Sequence, residues 1–262
     1  MDYGGVTGSL DETLRQRCVE SVVEEGERFG VLAQQLATGR TPAQRGLEVP
    51  VPWIPAWTAR ELIEHLGTVH RWATRIVRAG HADFPPRETS TLPHVEALHD
   101  WYATGLAELV ATLRTTPPDA PAWHMSPTAP KVAASWCRRQ AHELVVHRMD
   151  LESAAGVPHA PVDRELAADG VDELLSVILP RWAHTGPLNS ADVTVGVTAT
   201  DTGTSWSVAV RQGVVSIERE RADDADAWLS GPAASLLLHL WGRPTAVLVE
   251  GDPAAESILR GR

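Results

Sequence analysis

The chain has 262 residues, enough for one large domain or two modest ones around a real hydrophobic core. A formal net charge of −11 repels phosphate backbones and argues against nucleic acid as the main partner. No run approaches the ~18 consecutive apolar residues of a membrane span. The opening segment MDYGGVTGSLDETLRQ has no basic start followed by an apolar stretch, so no secretory signal is expected. Cys18 and Cys137 are too few for a disulfide scaffold, and free thiols fit a reducing cytoplasm.

Asp11 opens a helical pattern that runs to about Ala37, with Leu14, Cys18, Val22, Phe29 and Leu32 on one stripe. A Pro/Gly-rich connection over residues 38–57 follows. Thr58 with Glu61 is a T-x-x-E capping box that starts a second helix, and Gly80 closes it. A third helix spans about His94 to Arg114, and a fourth about Lys131 to Ala155, ended by Gly156. Four long helices joined by long loops read as a four-helix bundle. A fifth helix is expected from Val162 to about Trp182. Period-two alternation then marks three strands, VTVGVTA, SWSVAV and VVSIER, the last two joined by a hairpin at Arg211-Gln212-Gly213. Ser230 reads as the cap of a helix with Pro232 in its first turn, VLVE as a short strand and Asp252 as the start of a final helix. The expected fold class is therefore an all-α four-helix bundle followed by a smaller α+β domain, divided near residues 156–163.

The fourth helix contains AHELVVHRMD, which is not the zinc-protease H-E-x-x-H, because three residues separate Glu143 from His147. Glu143 and His147 are four apart and share one helix face. Carboxylate oxygen and neutral imidazole both suit zinc and related divalent ions. The bland alternative is a solvated helix pair, and two ligands alone do not make a site. His142 and His147 lie about 140° apart around the helix, so they do not share an ion. A third ligand has to come from a facing helix. His65, beside Leu66 and Val69 on the apolar stripe of the second helix, is the first candidate. His70 competes with it; five residues apart, the two are not expected to point inward together. Cys137 lies on another face of its helix and Cys18 reads as core. Arg138 and Arg139 read as solvated or ion-paired. Asp150 is either an exposed acid or a partner to His147. Trp53, Trp57, Trp72, Trp136 and Trp241 read as packing groups.

These residues carry a family resemblance. VPWIPAWTARELIEHLGTVHRWATRIVRAG resembles the second-helix signature of the DinB-like, mycothiol-dependent maleylpyruvate isomerase family. SWCRRQAHELVVHRMDLESAAG resembles its fourth-helix signature, and GPAASLLLHLWGRPTAVLVEGDPAA its closing segment. The resemblance implies two domains, a DinB-like metal-binding four-helix bundle over residues 1–158 and an α+β domain over 159–262. It implies a metal held by His65, Glu143 and His147, zinc or another divalent ion, and mycothiol as cosubstrate. It implies a catalytic role for Arg243 in the L-W-G-R motif, for which the bland reading is an arginine that satisfies helix-end carbonyls. One departure is Ile54-Pro55-Ala56-Trp57, where the family often reads C-P-G-W.

Three ligands on zinc leave an open position. A thiol there would ionise easily and attack a small electrophile, with Arg243 holding a carboxylate or enolate. Expulsion of the sulfur gives isomerisation; retention gives S-conjugation. The implied protein is a cytoplasmic isomerase or thiol transferase of small molecules, monomeric or a homodimer, with no nucleic-acid or membrane partner. Two other readings stand beside it. One is a thiol-independent zinc enzyme of a biosynthetic pathway. The other is a non-catalytic DinB-like binding or stress protein.

Overall fold

A computed structural model describes residues 12–84, 91–185, 188 and 191–261. The chain divides into two compact units, residues 1–124 with 130–160, and residues 125–129 with 161–262.

The first unit is built on α1 (Glu12–Ala37), α2 (Ala59–Ala79), α3 (Leu98–Thr115) and α4 (Ala133–Ala155). The capping box is formed as expected: Thr58 Oγ1 accepts from the Glu61 amide, and Glu61 Oε2 accepts from the Thr58 amide at 2.6 Å. Gly80 ends α2 with φ 66°, a left-handed conformation that costs glycine little. The apolar faces of Cys18, Val22, Phe29, Leu62, Leu66, Leu109, Leu144 and Leu151 are all buried. Close approach of α3 to α2 depends on Gly67, where an added Cβ would lie 2.1 Å from the Trp101 ring. The Arg71 guanidinium covers that ring from 4.0 Å. Between α1 and α4 the interior holds a charge cluster. Arg148 pairs with Glu25 through Nε and with Glu152 through Nη1 at 2.7 Å, and all three side chains are buried. Removing one member would strand the others in low dielectric.

The second unit begins with α5 (Arg164–Glu173), which runs through a π-helical turn (Leu174–Ile178) into α6 (Leu179–Thr185). The sequence predicts one regular helix here. Pro180 has no amide hydrogen, so the Ser176 carbonyl loses its usual helical donor. Thr128 Oγ1 donates to that carbonyl at 2.8 Å, and Ser126 Oγ donates to the Val177 carbonyl at 2.7 Å. These bonds explain why residues 125–129 group with the second unit.

The sheet comprises β1 (Asp192–Ala199), β2 (Ser205–Arg211), β3 (Val214–Glu218), β4 (Ala227–Gly231) and β5 (Leu248–Gly251), in the order β3-β2-β1-β4-β5. Only the central β1–β4 pair is parallel. The hairpin at residues 211–213 is present, with Gln212 and Gly213 both at positive φ, as a tight two-residue turn of matching twist requires. The strand β4 is a correction. Ser230 does not cap a helix; it lies inside β4, and Pro232 occupies the cap position of α7 (Ala233–Leu240). The Ala233 amide, in the first turn of the helix, donates instead to Asp201 Oδ1 at 2.9 Å. Residues Val195, Val197, Val208, Val210 and Leu229 point to the buried face, which carries the helices, while the alternate residues point outward. The helix α8 (Pro253–Ile258) starts at Asp252, whose side chain accepts from the Ala254 amide. Among the described residues no helix is long and apolar enough to cross a membrane.

Candidate metal centre

Two helices position the candidate site. Leu62 and Leu66 anchor α2 in the core, which places His65 on the flank turned toward α4. Trp136 of α4 meets Trp72 of α2 edge to face at 5.0 Å, fixing the same two helices two turns away. Between these anchors Glu143 and His147 come round on one face of α4, one turn apart.

The three side chains converge. His65 Nε2 lies 3.0 Å from Glu143 Oε1, and His147 Nε2 lies 3.4 Å from the same oxygen. One donor atom from each residue falls within 4.8 Å of the other two. The side chains are 30, 18 and 12% exposed in the order His65, Glu143, His147, so the cluster is a partly covered recess with one open side. Trp57 forms part of its wall, with its ring 4.7 Å from His65 and 6.2 Å from His147.

The outer polar atoms of Glu143 and His147 are already committed. Glu143 Oε2 accepts from Arg139 Nη2 at 3.2 Å, which leaves Oε1 for the cluster. His147 Nδ1 donates to Asp150 Oδ2 at 3.0 Å, and Asp150 is buried. A carboxylate behind the ring selects the tautomer with its Nε2 lone pair turned into the cluster. Burial by itself pulls the His147 pKa down, but Glu143 and Asp150 outweigh it and raise it to about 9. Burial alone pushes Glu143 up, and His147, His65 and Arg139 outweigh that, holding its carboxyl well below the usual range. Without a cation, the excess negative charge is balanced by a proton on His147. Two imidazole nitrogens and a carboxylate oxygen aimed at one point suit a zinc-like divalent ion.

His70 is where the sequence reading needs correction. It does point inward, deeper than His65, against Tyr102 at 5.3 Å between ring centroids. Five residues of helix put the two imidazoles on different faces, one flanking α4 and one filling the core. Among the described residues neither ring nitrogen of His70 has a hydrogen-bond partner, and burial lowers its pKa to about 3. His142 is buried and lies outside the cluster. The Cys137 thiol donates to the Arg15 carbonyl at 3.8 Å, and the neighbouring Cys18 thiol together with burial raises its pKa. Arg139, Asp150 and Trp57 are the neighbours whose place the sequence left open or read as packing. The signal for two of them is spacing, since Arg139 precedes Glu143 by four and Asp150 follows His147 by three. Arg243 belongs to the second unit. It follows α7, where its Nη1 donates to the Trp241 carbonyl at 2.5 Å.

The model for the mycothiol maleylpyruvate isomerase N-terminal domain matches residues 31–152, and that for the C-terminal domain of the same proteins matches residues 165–256. The chain belongs to the mycothiol-dependent maleylpyruvate isomerase family. The fold agrees. The crystal structure of a mycothiol-dependent maleylpyruvate isomerase matches with TM-score 0.59 at 12% identity, covering 90% of this chain and 92% of that one. A histidine-to-alanine variant of that enzyme matches with TM-score 0.61 at the same identity and coverage. No curated protein sequence matches the chain. The N-terminal match covers the residues that carry the cluster, and the C-terminal match falls within the second unit and covers Arg243.

Proposed function

We propose that this protein is a metal-dependent, mycothiol-using isomerase or S-transferase of small electrophiles. The observation that carries the reading is the convergence of His65, Glu143 and His147 in a half-open recess. Residues 1–158 are read as a DinB-like four-helix bundle and residues 159–262 as the family's α+β domain. Zinc, or another divalent ion, would be held by His65 Nε2, Glu143 Oε1 and His147 Nε2, and would supply Lewis acidity that favours the thiolate over the thiol.

The chain's own residues do the rest. Asp150 keeps the His147 Nδ1 proton in place and so leaves the Nε2 lone pair for the metal ion. Arg139 pins one oxygen of Glu143 and limits it to a single contact. Trp57 covers one side of the recess and reduces access of water. The mycothiol sulfur adds to an activated double bond or displaces a leaving group. Arg243 holds the carboxylate or enolate oxygen of the substrate as charge develops there. Release of the sulfur after rotation gives an isomer, and retention gives a conjugate. The site residues serve both outcomes, because the first bond formed is the same. A cytoplasmic location follows from use of a reduced thiol.

The test is turnover of an electrophile panel that includes maleylpyruvate, with and without mycothiol, alongside metal analysis of the purified protein. The reading expects stoichiometric divalent metal and turnover only with the thiol. Full turnover without any thiol would contradict it. Arg243→Ala is expected to keep its metal and lose roughly 100-fold in kcat, the scale of a lost oxyanion contact. Unchanged kcat/KM would return Arg243 to a helix-end role, in which its Nη1 donates to the Trp241 carbonyl.

A further inference from the structure

The outward face of the sheet, opposite the helices, holds a second cavity of about 530 Å³. Strand register sets its floor. Ser205, Thr198 and Ser230 stand side by side across β2, β1 and β4. In the neighbouring row Ser207, Gly196, Trp228 and Glu250 stand side by side across β2, β1, β4 and β5. Trp228 leans over Gly196: a Cβ there would lie 2.7 Å from the indole Cδ1. The glycine in the central strand is what allows an aromatic plane to lie along the sheet rather than stand on it. The β3–β4 connection crosses this face, with Ala222 3.3 Å from the same Gly196 position, and brings Arg221 to the cavity wall.

The polar groups are not used up by the protein. Thr198 Oγ1 and Ser205 Oγ share one hydrogen bond of 3.1 Å. Among the described residues the Trp228 indole N–H, the Ser230 hydroxyl and the side chains of Arg221 and Glu250 have no hydrogen bond or ion pair. The cavity thus combines a half-buried aromatic surface, three hydroxyls, one guanidinium and one carboxylate, and only the Thr198 and Ser205 hydroxyls are bonded to each other.

We propose that this face binds a small polyhydroxylated ring, a sugar or cyclitol that is neutral or carries an amine. Such a ring has an apolar C–H face that can lie on the indole, and hydroxyls on its rim that both donate and accept. Arg221 offers several fixed donors and Glu250 two acceptor oxygens, the pair needed to bridge adjacent hydroxyls. An anionic ligand fits poorly, because Glu250 and the exposed Asp223 and Asp224 of the crossing segment outnumber Arg221. A purely apolar ligand would leave the hydroxyls and both charged groups desolvated and unpaired. The cavity volume is within the range of small-ligand sites and exceeds what one ring needs, so a linked second ring also fits. The site lies wholly in the second unit and does not depend on the metal centre or on the reading of its activity.

The experiment is calorimetric or saturation-transfer NMR titration of the full chain with glucose, glucosamine and myo-inositol, with cyclohexanol as the apolar control. A ring of this size is expected to bind in the millimolar range. At least one of the three should bind, cyclohexanol should not, and chelation of metal should leave the affinity unchanged. Trp228→Ala and Arg221→Ala should each weaken binding by tenfold or more. Arg221 is exposed, so its variant keeps the fold and decides the matter alone should Trp228→Ala not fold. No binding of any of the three at about 20 mM, or affinity retained in either folded variant, would overturn the proposal.

Discussion

His65 and His70 sit five residues apart on α2 and meet opposite fates. His65 faces a carboxylate at 3.0 Å, in a recess where the outer oxygen of Glu143 and the outer nitrogen of His147 are each hydrogen-bonded. His70 is buried in the core beside Tyr102, and neither of its nitrogens has a partner among the described residues. The lesson is that polarity marks function in this helix only where it is organised. A cluster whose outer atoms are tied down and whose inner atoms converge is built to receive something. A lone buried imidazole is a packing group carried at a cost.

The sharpest way to break the comparison is to remove each histidine in turn. His65→Ala and His147→Ala should each abolish stoichiometric metal, as read by elemental analysis, while circular dichroism stays that of the parent. His70→Leu should keep metal at the parental stoichiometry. A smaller effect is expected behind the ligands. Asp150→Asn should weaken metal binding by about 10–100-fold, the usual cost of losing the partner that orients a ligating histidine. Competition against a chromophoric chelator measures it.

The next effect is in protons. With the His147 pKa at about 9 in the metal-free protein, a cation has to displace that proton at neutral pH. Metal binding at pH 7 should release about one proton per ion in weakly buffered solution, and affinity should climb as pH rises toward 9. The smallest effect concerns stability. His70 has a folded pKa of about 3, below its unfolded value of 6.5. Its contribution is complete above pH 6.5 and is lost as pH falls toward 3, by at most about 1.4 kcal/mol per pH unit. His70→Leu should therefore flatten the acid limb of the stability curve in urea titrations. Near pH 7.5 it should change stability by no more than about 1 kcal/mol.

How much of this was legible follows from the physics of each element. The capping box at Thr58 and Glu61, the closing glycines 80 and 156 and the hairpin at 211–213 are local devices, and the sequence shows them directly. Ser230 was misread because Ser-Gly-Pro imitates a helix start, whereas β4 is specified by pairing with β1, some thirty residues earlier in the chain. The π turn came from one proline inside a helix and from Ser126 and Thr128, which are far away in sequence. At the candidate site, Glu143 and His147 could be paired by helical periodicity alone. Spacing left His65 and His70 open, because which helix face meets α4 is a tertiary matter. Trp57 follows the long connection before α2, and no periodicity points to its contact with two imidazoles.

The most direct test of the central claim is anomalous diffraction at the zinc edge from crystals of the full chain grown with zinc. One strong peak is expected about 2 Å from His65 Nε2, His147 Nε2 and Glu143 Oε1, the usual zinc–ligand distance. A peak bound elsewhere, or none at this recess with zinc in excess, would contradict the account.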